Sequence, residues 1–395
     1  MKQGTFTQIP HGPVDLEGLW FDASVLGDQD LPDWLDMQDR DFYRLVGTIS
    51  CPSFDTSARA AYLSEIEELE LGGLLADQDP RDPWSHRVYV PPPYDEVWSI
   101  SIYEGPSPLD LTPWDEATGP AITRAMVTDV TALFVADPFM LLHEGIWYLF
   151  FEVLNWHAGK GEIALATSTD AKTWHYQGVV LAEEFHLSYP FVFTHNGKIY
   201  MTPETHQAGA VRLYEAVAFP RRWRLVTTLL EADCLVDPTL IHHADRWWLF
   251  VETSPTASHD TLRLYSSASL AGPWDEHPSS PLTNGDPAAS RPGGRVISRD
   301  GAIIRFAQDC SSSYGEAVRA FQVTCLTTEA YEELELGAVL RPSGSGWNSH
   351  GMHHVDATLL PNGRWLACVD GRTSVAAGPG ARTCAEDGRL QGVPC

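Results

Sequence analysis

The stretch DPFMLLHEGIWYLFFE, residues 137–152, decides the fold because the chain repeats its design. Two apolar runs flank a turn at Glu144-Gly145, and the stretch begins with Asp137 and ends with Glu152. A hairpin with a central turn brings its two ends together. The sequence therefore predicts a hairpin whose polar start and end residues lie side by side, away from the turn.

The same design recurs along the chain. Close copies are YPFVFTHNGKIYMTPE at 189–204 and DPTLIHHADRWWLFVE at 237–252, and looser copies run over 291–308 and 356–370. The hairpin starts are separated by roughly 50 to 65 residues, a period typical of a four-stranded propeller blade. Five hairpins thus predict an all-β fold, a five-bladed β-propeller.

The outer half of each blade repeats as well, marked by a single aromatic residue before its last strand: Trp174, Trp223, Trp274 and Tyr331. We interpret these aromatic residues as blade packing. A further outer half, with Trp114, comes before the first hairpin, whereas the hairpin at 356–370 has none after it. Residues 97–122 are therefore predicted to supply the outer strands of the last blade and to close the ring.

The chain divides into three predicted regions. Residues 1–95 include the helical pattern FDTSARAAYLSEIEELELGGLL at 54–75 and are expected to form a small, partly helical cap. Residues 96–372 form the propeller. Residues 373–395 are rich in Gly and Ala, lack periodicity and are expected to be flexible.

Charge, the N-terminal sequence and the cysteine content indicate which partners and which cellular location to expect. With 53 acidic and 26 basic side chains, the formal charge of −27 excludes nucleic acid as a main partner. The N-terminus lacks the apolar core of a signal peptide, and no apolar run is long enough for membrane insertion. Seven cysteines without metal-site spacing indicate reduced thiols and a cytoplasmic protein. The oligomeric state stays open.

In a propeller all inner hairpins point the same way, so their polar ends gather on one face of the ring. Carboxylates that converge there raise one another's pKa, which suits general acid and base chemistry on a glycosidic bond. The candidate catalytic residues are Asp137, Asp237, Glu204 and Glu252. The candidate substrate-binding residues are Glu152, His186, Tyr189, Arg291, Gln308, Asp309, Trp156 and His353. The carboxylates have an alternative use, as acceptors of backbone N–H bonds that hold neighbouring blades together.

No metal or other cofactor is predicted, because the histidines show no His/Cys grouping with metal-ligand spacing. The aromatic residues Trp156, Tyr189 and Trp347 are expected to stack on sugar faces. His186 and Arg291 are expected to position the substrate or an anionic group on it. The expected partner is accordingly a carbohydrate or glycoconjugate.

Several motifs carry a family resemblance: VADPF, GEIALATS, FHLSYPFVF, MTPETH, GAVRLYEA, SRPGGRV, YGEAVRAF and SGSGWNSHGMHH. Together they resemble the propeller domain at the N-terminus of plant glucosamine inositolphosphorylceramide transferases and its bacterial relatives, over roughly residues 95–372. In the plant proteins the transferase activity is assigned to a separate C-terminal glycosyltransferase domain. The resemblance therefore implies the fold without implying transferase activity for this region.

More distantly, the pattern is similar to the five-bladed furanosidase superfamily of arabinanases, xylosidases, invertases and levansucrases. In those enzymes a first-blade Asp acts as base or nucleophile, and acids of the second and third blades complete the set. The resemblance implies the first role for Asp137 and places Asp237 in the third blade. Tyr189 departs from the pattern in the second blade, where Glu204 or Glu252 is expected to substitute for the missing acid.

These observations predict a carbohydrate-active enzyme of the glycoside hydrolase or transglycosidase type, with Asp137 as base or nucleophile and Asp237 or Glu204 as acid. The alternatives are a non-catalytic glycan-binding module of a polysaccharide or glycolipid pathway, and a scaffold for protein partners. Release of sugar from a glycan panel distinguishes the first from the other two.

Overall fold

The computed structural model describes residues 96–114, 119–255 and 258–374. The predicted cap over residues 1–95 lies outside the described residues, as does the predicted tail from residue 375 onward. A strand continues to Ser374, so the first two residues of the predicted tail belong to the propeller sheet.

Nearly all regular structure is β. In chain order the strands are β1 (Glu96–Ser107), β2 (Asp110–Pro113), β3 (Ala132–His143), β4 (Ile146–Asn155), β5 (Lys160–Ser168), β6 (His175–Leu181), β7 (Ser188–His195), β8 (Lys198–Glu204), β9 (Ala210–Ala218), β10 (Arg222–Glu231), β11 (Val236–His243), β12 (Arg246–Glu252), β13 (Thr261–Ser267), β14 (Asp275–Glu276), β15 (Thr283–Asn284), β16 (Ile297–Arg299), β17 (Ala302–Asp309), β18 (Ala317–Leu326), β19 (Tyr331–Leu340), β20 (Val355–Leu359) and β21 (Trp365–Ser374). Short 3₁₀ helices cover Arg124–Met126, His206–Ala208 and Gly346–Asn348. Within the described ranges, no helix is long and apolar enough to cross a bilayer.

The strands form five antiparallel sheets, which are the blades of a propeller. Blade I is β3-β4-β5-β6, blade II is β7-β8-β9-β10, and blade III is β11-β12-β13 with the short β14 and β15 outside it. Blade IV is β16-β17-β18-β19. Blade V is β20-β21-β1-β2, so the N-terminal strands pair outside the C-terminal hairpin. The predicted ring closure is confirmed, and Trp114 donates its backbone N–H to Ile102 (3.0 Å) beside β2.

The core consists of apolar layers between neighbouring blades, because each blade is covered on both faces. Phe139, Leu187 and Phe191 belong to the cluster that joins blades I and II. Separate clusters join blade V to blade I, blade V to blade IV, and blade III to blade IV. The outer aromatic residues Trp114, Trp174, Trp223, Trp274 and Tyr331 pack in or against these clusters, as predicted.

An ion pair fills the centre of the ring. Arg295 donates from Nε to Asp356 (2.6 Å) and from Nη2 to the carbonyl of Val192 (2.9 Å), and its guanidinium lies 4.8 Å from the Phe191 ring. Asp356 also accepts the backbone N–H of Met140 (2.8 Å). Asp356 therefore braces blades I, II, IV and V, which is the alternative use foreseen for the carboxylates.

The inner hairpins of blades I, II and III each contain a bulge at the start of the innermost strand. The glutamate at the hairpin end pairs with the residue before the predicted partner: Ala136 with Glu152, Ser188 with Glu204, and Val236 with Glu252. The next residue is in the left-handed region, with φ of 52° at Asp137, 46° at Tyr189 and 51° at Asp237. A bulge re-aims a side chain, and here it does so at equivalent positions of three blades.

Among the described residues, Cys310, Cys325 and Cys368 form no disulfide bond. The cytoplasmic location stays a prediction.

Candidate active site

Six buried carboxyl groups converge at the end of the ring where the inner hairpins begin and end. We call this set the acidic mouth: Asp137, Glu152, Glu204, Asp237, Glu252 and Asp370. Hydrogen bonds or charge interactions link all six across blades I, II, III and V. The predicted convergence of Asp137, Glu204, Asp237 and Glu252 on one face is therefore what the structure contains.

The position of Asp137 is fixed by a hydrogen bond to the Asp370 carboxylate. The backbone N–H of Asp137 donates to Asp370 Oδ2 (2.9 Å), and Asp370 Oδ1 accepts from Nδ1 of His353 (2.8 Å). This bond places the His353 Nε2 atom 3.8 Å from Asp137 Oδ1, beyond hydrogen-bond distance. Asp137 Oδ1 is buried and has no hydrogen-bond partner; Nδ1 of the buried His354 also lies 3.8 Å from it.

Arg291 joins blade IV to the mouth. Its Nε donates to Asp237 Oδ2 (2.6 Å), and its Nη2 lies 3.7 Å from Glu204 Oε2. Gln308 donates from Nε2 to the same Asp237 oxygen (2.8 Å) and to the carbonyl of Pro292 (2.9 Å). The two predicted substrate-binding residues Arg291 and Gln308 thus bind Asp237 in this structure.

Glu204 and Glu152 have opposite surroundings. Glu204 Oε1 lies 2.6 Å from Nδ1 of His206, and its Oε2 accepts the backbone N–H of Asp237 (3.2 Å). Glu152 Oε1 lies 3.5 Å from Nε2 of His186, and the charges of Asp137 and Glu204 act on it more strongly than that of Arg291. His186 Nδ1 accepts the backbone N–H of Gly161 (2.9 Å), so the neutral ring carries its proton on Nε2, toward Glu152.

These surroundings separate the pKa values of the acids. Burial, with Asp370 and Glu204 nearby, raises the pKa of Asp137 to about 6 although His353 and Arg291 oppose the rise. Burial and the charges of Asp137 and Glu204 raise the pKa of Glu152 well above its ordinary value. Burial also disfavours ionisation of Glu204, but the bond with His206 and the charge of Arg291 outweigh it, so the pKa of Glu204 is lowered.

The remaining two predicted catalytic acids are bound more tightly by the protein. Burial raises the pKa of Asp237, and the adjacent Arg291 opposes that rise. Glu252 Oε1 accepts the backbone N–H of Ser254 (2.6 Å), and burial raises the pKa of Glu252. Both side chains are buried, as are Asp137 and Glu152, but they differ from those two in being hydrogen-bonded to protein groups.

The predicted stacking of a sugar on Tyr189 does not fit the structure, because this side chain is 0% exposed. Its hydroxyl lies 2.8 Å from Thr239 Oγ1 and accepts the backbone N–H of Gly294 (2.8 Å). The ring packs edge-on against Phe139. Tyr189 therefore connects blade II to blades III and IV inside the ring.

Two other predicted binding residues lie apart from the six acids. Asp309 follows Gln308 on β17, but its carboxylate accepts bonds from Ser311 (2.5 Å) and Arg319 (3.0 Å). Trp156 is partly exposed at the turn between β4 and β5, where its backbone N–H donates to Thr131 (2.8 Å). A role for either in binding stays a prediction.

Sequence reasoning missed three residues beside the mouth: Trp98, His259 and Tyr314. The Trp98 ring stacks on His353 with 3.9 Å between centroids. Tyr314 lies 5.1 Å from the Arg291 guanidinium, and His259 lies 3.2 Å from the same side chain. His259 and Tyr314 are in the loops that follow β12 and β17, and both strands end at the mouth. Their place shortly after the end of an inner hairpin was the sequence signal that could have identified them.

Within the described ranges, one group has metal-ligand spacing: atoms of Asp137, His353 and Asp370 lie within 4.8 Å of one another. Both Asp370 oxygens already accept hydrogen bonds, from His353 and from the backbone of Asp137. The donor set is thus largely used within the protein, and we assign no metal to it.

Comparison with known proteins agrees with the fold and with the motifs. Residues 92–372 match the family described as glucosamine inositolphosphorylceramide transferase 1, N-terminal. The chain belongs to this family. The resemblance predicted from the motifs is therefore confirmed, over nearly the same residues.

Two plant relatives are similar to the same region. Glucosamine inositolphosphorylceramide transferase 1 of Arabidopsis thaliana is 36% identical over 296 residues, which are 69% of this chain and 39% of that protein. The protein of the same name from Oryza sativa subsp. japonica is 35% identical over 314 residues, 74% of this chain and 42% of that protein. The chain thus spans less than half the length of these relatives.

Solved propellers are similar at lower identity. The catalytic domain of the Coprinopsis cinerea GH62 α-L-arabinofuranosidase is 14% identical, with a TM-score of 0.46, and the match covers 71% of this chain and 98% of that one. A likeness at this level says nothing about activity.

Proposed function

We propose that the acidic mouth acts on a glycosidic linkage of a carbohydrate or glycoconjugate, with Asp137 as base or nucleophile and Glu152 as proton donor. The observation that carries this proposal is the separation of pKa values between two neighbouring carboxyls that touch no arginine. Two acids whose surroundings place them in different protonation states are what glycosidic cleavage requires.

Asp137 suits the role of base or nucleophile. With a pKa of about 6 it is ionised at neutral pH, yet it remains basic enough to accept a proton. Its Oδ1 atom has no partner in the protein, and the bond from its backbone to Asp370 fixes its position. It also stands where the superfamily resemblance places the first-blade acid.

Glu152 is a better proton donor than Glu204 or Asp237. Burial and the charges of Asp137 and Glu204 raise its pKa well above the ordinary value although Arg291 opposes the rise, and the neutral imidazole of His186 lies 3.5 Å away. The lowered pKa of Glu204 makes it a permanent anion. Asp237 is bound by Arg291 and Gln308, so its carboxylate is suited to fixing those groups.

The family supports a sugar-containing substrate. The plant relatives are named glucosamine inositolphosphorylceramide transferase 1, a name that contains an amino sugar. The matched region covers 42% or less of those proteins, so whether this region shares their substrates is part of the proposal.

The test is release of sugar from a panel of glycans and aryl glycosides by the full chain, followed by chromatography. For any substrate that is cleaved, Asp137→Asn is expected to lower kcat by about 10²–10⁴-fold, the usual contribution of a positioned acid or base. Glu152→Gln is expected to lose a similar factor on glycans but to recover on dinitrophenyl glycosides, whose leaving group needs no proton. The matched control Glu215→Gln changes a carboxylate that pairs with the exposed Lys198 and Arg224 on blade II, and it is expected to leave the rate unchanged.

Full activity of Asp137→Asn on a cleaved substrate would contradict the assignment. The pH profile adds an independent check, because the rate is expected to fall below about pH 6 as Asp137 becomes protonated.

The second candidate is a glycan-binding module without catalysis. One observation favours it: Tyr189, not an acid, occupies the second-blade position and points into the ring. Saturable glycan binding with no product after prolonged incubation, and equal binding by Asp137→Asn, would support this alternative.

A further inference from the structure

Two blades of the ring end in long outer strands that pair on one side only. These are β10 of blade II, Arg222–Glu231, and β19 of blade IV, Tyr331–Leu340, with ten residues each. Each is the terminal strand of its sheet within the described residues. An edge strand presents unpaired N–H and C=O groups, so a long one is a surface on which another chain can dock.

The other three blades have edges that are short or covered. The outermost strand of blade V, β2, has four residues, and β14 and β15 of blade III have two each. In blade I, Asp129 covers β6, where it accepts the N–H of Val179 (2.8 Å) and the hydroxyl of Tyr176 (2.5 Å). Short and covered edges prevent association. Blades II and IV are therefore the exceptions in this ring.

The exposed apolar side chains are concentrated at these two edges. Six large apolar side chains are exposed within the described ranges, and five belong to the outer strands of blades II and IV: Val217, Leu225, Val226, Leu334 and Leu336. Apolar groups that cluster on a surface mark an interaction site, whereas single ones do not.

An equivalent bulge produces part of this exposure. Val226 and Leu336 are the extra residues of bulges at the same place in β10 and β19. The corresponding bulge of blade I contains Gln177. Arg221 of blade II donates to the Gln177 carbonyl (2.6 Å) and to its side chain (2.8 Å). Blades II and IV thus expose an apolar group where blade I has a polar one that the next blade binds.

The two edges carry opposite charge. Arg221, Arg222 and Arg224 stand together at the start of β10, although the formal charge of the chain is −27. The corresponding part of β19 contains three glutamates, at positions 332, 333 and 335. A contact between two like edges would bring like charges together, whereas β10 and β19 complement each other.

Only part of this charge is balanced within each blade. Glu333 and Glu335 each pair with an arginine of blade IV, and Arg224 lies 3.4 Å from a glutamate of blade II. Arg222 and Glu332 are exposed. Neither of them is in an ion pair with another described residue. They are therefore the charges of the two edges that an external partner can neutralise.

We propose that the outer edge of blade II in one copy of this chain binds the outer edge of blade IV in a second copy. The exposed apolar side chains would meet in the contact, with Arg222 and Glu332 beside them. Because the two surfaces differ, the association is head to tail, and each end of an assembly keeps one free edge for a further copy. The outer strands lie farthest from the channel, so the contact leaves the acidic mouth open and is independent of its chemistry.

The mass of the full chain in solution tests this contact. Analytical ultracentrifugation is expected to show monomers at nanomolar concentration. At roughly 100 µM, where an interface of micromolar affinity is largely occupied, the weight-average mass is expected to exceed that of a dimer. Growth beyond a dimer is the expected sign of two different edges, because a contact between identical edges closes at two copies.

Two variants each disable one edge. Arg222→Glu with Val226→Ser changes β10, and Glu332→Arg with Leu336→Ser changes β19. Each variant alone is expected to stay monomeric at the concentration at which wild type associates. An equimolar mixture of the two is expected to form a 1:1 dimer and nothing larger, because one intact edge of each kind remains.

Further variants provide the controls. Arg299→Glu and Asp275→Arg reverse exposed charges outside the two edges and are expected to associate like wild type. A chain with both Arg222→Glu and Glu332→Arg has the charges exchanged and is expected to associate again. This exchange decides the matter if either serine variant does not fold.

Four outcomes would overturn the proposal. Wild type that stays monomeric at roughly 100 µM would show that no second copy binds these edges. Association that both edge variants retain would place the contact elsewhere. Loss in only one variant would indicate a contact between identical edges. A mixture that stays monomeric, although each variant folds, would mean that the two edges do not bind each other.

Discussion

Replacement of Asp137 by Asn is expected to stabilise the folded protein at neutral pH. The pKa of Asp137 is raised from 3.8 to about 6, chiefly because the folded protein buries it. A group whose pKa is higher in the folded state binds its proton more tightly there. Stability therefore falls as pH rises from about 4 to about 6, and the whole cost is present above pH 6.

The expected magnitude follows from the two pKa values. At 1.36 kcal/mol for each pH unit, their difference corresponds to about 3 kcal/mol of unfolding free energy. Asn keeps the shape of the side chain and the backbone bond to Asp370, but it does not titrate. The variant is thus expected to match wild type near pH 4 and to exceed it by up to about 3 kcal/mol at pH 7, or about 5 °C in Tm for a domain of this size.

The assay is urea unfolding of both proteins at intervals between pH 4 and pH 8. Asp370→Asn provides a control of opposite sign, because His353 lowers the pKa of Asp370 despite its burial. The ionised Asp370 carboxylate stabilises the folded protein at every pH above the pKa that Asp370 has in the unfolded chain. This contribution is lost only as the pH falls toward the lower pKa of Asp370 in the folded protein. Asp370→Asn is therefore expected to be destabilised throughout the assay range.

A gain for Asp137→Asn that does not grow with pH would refute the reasoning. So would a loss that grows with pH, because it would mean that His353 and Arg291 outweigh burial and hold Asp137 ionised. In that case Asp137 would be a fixed anion like Glu204, and its use as a base would lose its physical support.

Two further predictions test the surroundings of the mouth. Tyr189→Phe is expected to lower the unfolding free energy by about 1–3 kcal/mol, because the buried N–H of Gly294 loses its acceptor while the ring packing remains, as thermal melting would show. Gly161→Ala is expected to lower activity or sugar binding without removing any polar group, because the new Cβ would stand 2.6 Å from Glu152 Oε1 and 2.3 Å from a backbone carbonyl. An unchanged melting temperature in the first case, or unchanged function in the second, would contradict these contacts.

The fold could be predicted because the same sequence pattern recurs in each blade. Each blade places an apolar hairpin between polar ends, and the outer aromatic residue marks the second half of the blade. Trp114 was decisive, since an outer half before the first hairpin has a place only beside the last one. The resulting pairing, for example Ile100 with Asp370, is a contact across most of the chain.

The site could be predicted as a set but not in its internal order. The repeats place Asp137, Glu204 and Asp237 at the same end of the ring, yet they do not say which acid meets a base. That depends on residues outside the repeat: His206 beside Glu204 and Arg291 beside Asp237. The sequence therefore predicted Glu204 as a proton donor, whereas its neighbours lower its pKa, and the proposed function assigns that role to Glu152.

Tyr189 and Asp137 occupy equivalent bulge positions in blades II and I, but their side chains make different contacts. Left-handed backbone at a residue other than glycine costs about 1–3 kcal/mol, and a bulky side chain tolerates it least. At Tyr189 the cost is offset by the two hydroxyl contacts that join blades III and IV. At Asp137 the backbone N–H donates to Asp370, and the side-chain atom Oδ1 has no hydrogen-bond partner. The same strained turn thus adds contacts between blades at Tyr189, whereas at Asp137 it holds a buried carboxylate oxygen that has no hydrogen-bond partner, the oxygen used in the proposed function.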